Sequence, residues 1–431
     1  MIGAGQRATL VVAGLLALVA TGCWTQAGQG SGRQGFNGAE RSITAANVAG
    51  LAVAWSRTGP AVAHEPVVGR GSVYLRNTAS VTAVAEADKA LRWGPVALGG
   101  NAVPTLVADR LLVPTSGGSC SLTALDADRG ATLGTRPLGF QDLTGYPSGF
   151  SSCTTRDALA AGGRVVVAWH YLGSVQVPHC NGGPLTEQSY NITSGISALD
   201  PATLAVIWEH HETVSGCGAP PPVATWPVAF GAPAEVAGGL VTATQSSRVV
   251  AFSPACATLC PATWTRDLGV GLVGPPIALG STLAVVNGRG TVHVLDAATG
   301  TPSWTAVVSD AADVSLASDG VSIFAAGADG TLAAFPAGGC GAPACSALWT
   351  AQLGSAASAR PSIGGDVVYV GTAGGTIAAY PARGCSSSVC ARLWCDPLLG
   401  DGVTGVAVVD GRVFVAALDG STRTYAPPSP T

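Results

Sequence analysis

The stretch TVHVLDAATGTPSW, residues 291–304, alternates apolar and polar side chains, turns through Asp296 and Thr299-Gly300, and rises again into Trp304. Alternation with a period of two marks a half-buried strand, and a Gly closing a short Asp-Thr run marks a tight turn. The stretch reads as two strands joined by a turn, with an indole on the second. What decides the fold is how often this unit recurs.

The first strand of that unit is found eight times: SVTAVA (80–85), SLTALD (121–126), GISALD (195–200), RVVAFS (248–253), TVHVLD (291–296), TLAAFP (331–336), TIAAYP (376–381) and STRTYA (421–426). Its fourth residue is Ala83, Ala124, Ala198, Ala251, Val294, Ala334, Ala379 and Thr424, at successive steps of 41, 74, 53, 43, 40, 45 and 45. A stronger apolar strand precedes each copy, such as SVYLRN or VVYVGT, and before it come a turn and a further short apolar run. After most copies comes a segment bearing Trp93, Trp208, Trp264, Trp304, Trp349 or Trp394; Gly134 stands where the second unit should carry its Trp. Four strands in a period of 40–45 residues are the signature of a propeller blade. Small residues in the fourth column let neighbouring blades approach, and the Trp residues are expected as blade-docking core.

Trp55, in NVAGLAVAW (47–55), has no unit before it, and the last unit ends at its third strand. The fragments complete each other, so the sequence predicts an all-β, eight-bladed β-propeller closed by its N-terminal strand. Closure removes the edges an open stack would expose. The 431 residues are 47% hydrophobic and 11% charged, with net charge -4 and Lys89 the only lysine, which argues against nucleic acid as a partner.

Arg7 precedes an apolar run from Ala8 to Ala20, too short to span a bilayer and laid out as an export signal. Ala20-Thr21-Gly22-Cys23 resembles the bacterial lipoprotein box, departing from it at Ala20 where Leu is usual; cleavage without lipid is the other reading. The expected organisation is a signal peptide over 1–22, a lipidation site at Cys23, a flexible tether over 23–41 and the propeller over 42–431. Export permits disulfides.

The repeat resembles the pyrroloquinoline-quinone-type propeller family. Asp296, Thr299, Gly300 and Trp304 match its docking turn, with Val294 at the Ala place; Ala198, Asp200 and Trp208 match it with Leu204 for Gly; Ala83 and Trp93 keep the spacing. The leader 36–55 is similar as well. In fold the chain is similar to the propeller scaffold of the outer-membrane β-barrel assembly machinery. The resemblance also implies an alternative, a dehydrogenase using the quinone with calcium, or a ligand-binding sensor derived from one. Such enzymes need a calcium-bound quinone, a catalytic carboxylate and, in the alcohol dehydrogenases, two adjacent cysteines; no adjacent cysteine pair occurs here. Arg360, ahead of an inner strand, is the cofactor-binding candidate.

Three turns replace Asp-x-x-Thr-Gly with paired cysteines: Cys256/Cys260, Cys340/Cys345 and Cys385/Cys390. Zinc would need two such pairs together, and equivalent turns of different blades point apart, so a local disulfide in each is expected. Cys120–Cys153 and Cys180–Cys217 are further candidate pairs, leaving Cys395 reduced. The long steps hold insertions at about 139–156, 170–193 and 209–226, all on connections of one face. They carry His170, His179, His210, His211 and Glu212, residue types that suit zinc or copper but equally polar loops. No Gly-x-Ser-x-Gly motif accompanies them. The sequence therefore points to an exported, lipid-anchored propeller without catalysis or cofactor, binding another envelope protein or cell-surface component.

Overall fold

A computed structural model describes residues 23–139, 150–178, 186–217, 229–253, 255–308, 313–397 and 400–428. Among them eight antiparallel sheets stand around an axis as the blades of a β-propeller. Blade 1 contains Val67–Gly69, Ser72–Arg76, Ser80–Ala85 and Leu91–Ala97, counted outward from the axis. Blades 2 to 7 repeat this order, with inner strands at Thr105–Val107, Leu159–Ala161, Ala234–Val236, Leu272–Leu279, Ser315–Ser318 and Ser362–Gly364. Blade 8 contains Val403–Val409, Arg412–Ala417 and Ser421–Ala426, and its outer strand is Ala52–Thr58, with Trp55 opposite Thr424. The N-terminal strand thus closes the ring, as the missing last strand required.

The blades dock through the tryptophans. Nε1 of Trp55, Trp93 and Trp264 donates to the carbonyl of Glu86, Ala127 and Ala297, in the turn between third and fourth strands of the next blade. The glycine of that turn lies flat on the ring. Gly300 has φ +67°, and a Cβ there would come 2.6 Å from Trp264. Positive φ and ring contact together restrict the position to glycine. Blade 2 carries Gly134 in place of Trp, and the facing turn of blade 3 carries Leu204, whose methyl lies 3.7 Å from a Cβ built on Gly134. Leu204 is buried among Leu112, Leu122 and Val206, filling the space an indole fills elsewhere.

The three cysteine turns form disulfides Cys256–Cys260, Cys340–Cys345 and Cys385–Cys390. Each turn also adds a parallel bridge to the outer strand of the preceding blade: Trp208 with Thr258, Thr305 with Ala344, Thr350 with Val389. The staple therefore shapes a clasp between blades.

The described parts of the insertions are largely strand. The second and third strands of blade 3 run Arg164–Pro178 and Thr186–Leu199, paired from Val165/Leu199 to Pro178/Thr186, and its outer strand runs Val206–Cys217. At about 3.3 Å per residue this ribbon rises well beyond the ring on the face of the insertions. Phe150–Thr155 flanks it, paired with 169–173. Cys120–Cys153 ties that strand to blade 2.

The tether expected over 23–41 is not a tether. The segment enters the central channel and makes one circuit, bonding to every blade in order. Trp24 exchanges both backbone bonds with Val68 of blade 1. Leu106 donates to Thr25, Ala160 to the Gln26 side chain, Glu235 to Ser31, Ala278 to Gly32, Ser318 to Gln34 and Ile363 to Gly35. Asn37 Nδ2 then reaches the Val408 carbonyl of blade 8. The reason is the inner strands, whose axial edges present N–H groups that need acceptors. Gly and Gln look like linker composition, yet here they give a backbone free to bend around the axis.

Candidate functional site

The strap is held by buried charge. Trp24 Nε1 and the Gly28 amide donate to Glu65. Burial pushes the Glu65 carboxyl up, and Arg360 opposes the shift. Arg360 itself donates to the Arg33 carbonyl at 3.3 Å. The expected cofactor candidate therefore points into the channel, as its place before an inner strand implies, and there it holds the chain's own backbone. Arg33 is fully buried and donates to the carbonyls of Ala27, Asp157, Ala158 and Pro233. Burial lowers its pKa to about 10, and Asp157 at 3.8 Å supports its charge.

On the face of the insertions the channel widens into a cavity of about 620 Å³. His64, Asn101, Arg156, Asp157, Gln245 and Asp313 are among its lining. His64 Nε2 and Gln245 Oε1 are buried without a hydrogen-bond partner. Burial, outweighing Asp157, holds the His64 imidazole below its ordinary pKa. Sequence reasoning passed over this site because its residues lie in separate connections between blades and share no motif.

Beneath the cavity wall lies His170. Arg156 Nε donates to its Nε2 at 3.2 Å, so that nitrogen carries no proton, and Nδ1–H donates to Ser194 Oγ at 2.6 Å. Burial, with Arg156 beside it, lowers the pKa to about 3. A Ser-His pair is thus present, but a hydrolytic triad sets a carboxylate on the far nitrogen. Arginine there opposes the imidazolium a general base must form.

His210 lies on the same face of blade 3, bonded to the Cys260 carbonyl at 2.8 Å, edge-on to Phe230 and tilted against Phe252. Glu212 is taken by Arg248 at 2.6 Å. His211 is the next residue along the strand and faces the other way. His179 lies outside the described residues. His210 Nε2 and Glu212 Oε1 meet at 3.5 Å, but among the described residues no three His, Cys, Asp or Glu side chains are grouped as a metal site. Cys217 is in a disulfide, its expected partner Cys180 lying outside the described residues, and Cys23 and Cys395 are free thiols.

A family model described as outer membrane protein assembly factor BamB matches residues 193–342. No curated protein sequence matches the chain significantly. BamB from Moraxella catarrhalis superposes with a TM-score of 0.57 at 16% identity, over 87% of this chain and 99% of that one. This chain has the PQQ-like β-propeller fold. Quinohemoprotein alcohol dehydrogenase from Comamonas testosteroni is similar at TM-score 0.65 and 14% identity, over 95% and 81% of the two chains. The computationally designed protein Ika8 is similar at 0.61 and 13%, over 86% and 98%. A propeller shared by an assembly factor, an alcohol dehydrogenase and a designed protein does not choose a function.

The quinone that the enzymes of this fold use carries several carboxylates, and burying them calls for cations and a divalent metal. Among the described residues, the cavity offers one arginine, Arg156, already given to His170, beside Asp157 and Asp313. The rest of the axis is filled by the strap. Among the described residues, the lining does not supply the several cations that a calcium-bound quinone calls for.

Proposed function

We propose that this PQQ-like propeller is exported, anchored by lipid on Cys23, and acts without catalysis as a binding scaffold in the cell envelope. The observation that carries the reading is the strap: residues 24–37 occupy the channel and bond to all eight blades. The surface that departs most from the plain ring is the ribbon of blade 3, and it is the surface assigned to a protein partner. The BamB-type match overlaps the base of this blade.

The test is crosslinking in intact envelopes, with a variant in which Leu172 is joined to Ile192 by an Asn-Gly turn. One dominant partner captured by the wild type and lost in the variant supports the scaffold. Dye-linked oxidation of an alcohol or sugar by purified protein given quinone and calcium overturns it. A second reading, a propeller that senses a small polar ligand, is favoured by the unpartnered His64 and Gln245 atoms in the cavity. Saturable binding without turnover, abolished by His64→Ala, would support that reading instead.

A further inference from the structure

Cys23 is the last residue before the strap begins, and no slack separates the two. Trp24 is fully buried and hydrogen-bonded in both directions to Val68. Cys23 Sγ lies 3.6 Å from where a Cβ would stand on Gly69. Gly69 ends the innermost strand of blade 1, and the amide of Glu86 donates to Gly71 in the following turn. The thiol is therefore held on the face formed by the turns between first and second and between third and fourth strands. This is the face of the cysteine turns, opposite the ribbon.

The same face carries exposed apolar side chains around its rim. Among the described residues, seven of nine exposed large hydrophobic side chains lie here. Val53, Leu91, Leu133 and Leu348 stand at or beside the starts of outer strands, and Leu259 and Val389 in cysteine turns. Val321 occupies a turn nearer the axis; among the described residues, Val307 and Leu418 lie at the other face.

We infer that the propeller lies with its cysteine-turn face flat on a lipid bilayer, so that the ribbon of blade 3 points away from the membrane. The inference rests on membrane attachment at Cys23, as proposed above. An acyl chain reaches only a short way into the bilayer from its point of attachment. A long linker would let the ring tumble at a distance, whereas an attachment fixed in the face brings that face to the headgroups. The apolar rim side chains then meet the interface, where their exposure is relieved rather than costly.

The experiment uses the full chain purified from membranes and reconstituted into vesicles of phosphatidylethanolamine and phosphatidylglycerol doped with a nitroxide-headgroup lipid. A fluorescent non-canonical residue is placed at position 348 in one sample and 418 in another. The expected result is loss of fluorescence at 348 and full fluorescence at 418. Equal quenching at both positions, or quenching at 418 alone, overturns the orientation while leaving attachment intact. Mass spectrometry of the N-terminal peptide separates the two ideas: an unmodified Cys23, with protein that does not float with vesicles, removes the anchor and the orientation with it. A Leu348→Asp, Val389→Asp variant that stays lipidated should show less protection of this face from water-soluble labelling reagents. Undiminished protection counts against a bilayer contact.

Discussion

Two departures from the repeat, which look like independent losses in the sequence, compensate each other in space. Gly134 removes a docking indole, and Leu204 replaces the glycine that would have lain on it. Leu204 holds φ +58°, a conformation unfavourable to a branched side chain, so its packing must outweigh the strain. Leu204→Gly should lose about 2–3 kcal/mol of packing, offset by roughly 1 kcal/mol of relieved strain. Adding Gly134→Trp should restore the repeat's own solution. Urea denaturation of the single and double variants checks this; additive effects, without a favourable coupling, would show that the two sites do not share one space. His170 gives a second prediction at this scale. Its pKa falls from 6.5 to about 3 on folding, so the unfolded chain binds the extra proton first. The stability it contributes is fully present above about pH 6.5 and drains away as pH falls toward 3, by up to about 1.4 kcal/mol per pH unit. His170→Gln should flatten that part of the acid limb relative to wild type, and parallel limbs would refute the assignment.

Elements were legible where they repeat and obscure where they do not. The eight copies of one strand fixed the blade count, because each unit is stabilised by its own register and its neighbour. The ribbon was read as three insertions, since residues 170–178 and 186–193 lie outside the period even though they pair as strands. Sequence spacing located the cysteine turns but could not show that they reach across to the preceding blade. That reach sets the next prediction. Replacing Cys385 and Cys390 with Ser should cost about 2 kcal/mol through the loop-closure term. It should also speed hydrogen exchange at position 390, whose amide donates to Thr350 in the wild type, and at Thr350, whose amide donates to Ser388. Amides of Ser421–Ala426, remote from the clasp, should keep their protection. Uniform loosening of all blades would mean that the staple acts only on the unfolded chain.

The whole molecule is a ring with two closures of different kinds. Ala52–Thr58 closes it from the outside by completing blade 8, and the pattern of missing strands foretold this. The strap closes it from the inside, and sequence pattern did not reveal it: its bonds are mostly made by backbone, which any composition supplies, and its few marked residues, Trp24 and Arg33, acquire meaning only when the blades, with Glu65 beside Trp24, surround them. The two closures can be separated. A chain lacking residues 24–38 keeps the outer strand and should still form the ring. Its inner strands, however, lose the acceptors that now serve the amides of Val68, Leu106, Glu235, Ala278, Ser318 and Ile363. Those amides would then face a hydrated channel, and each lost bond removes about 1 kcal/mol of local stability. Hydrogen exchange should therefore rise at these six amides, one in each of six blades, while the second strands behind them stay protected. Melting temperature should fall, and Glu65, freed of Trp24 and Gly28, should become accessible to carboxyl-modifying reagents. Inner-strand protection that survives the deletion would show that the ring holds its own edges, and that the strap follows the channel without securing it.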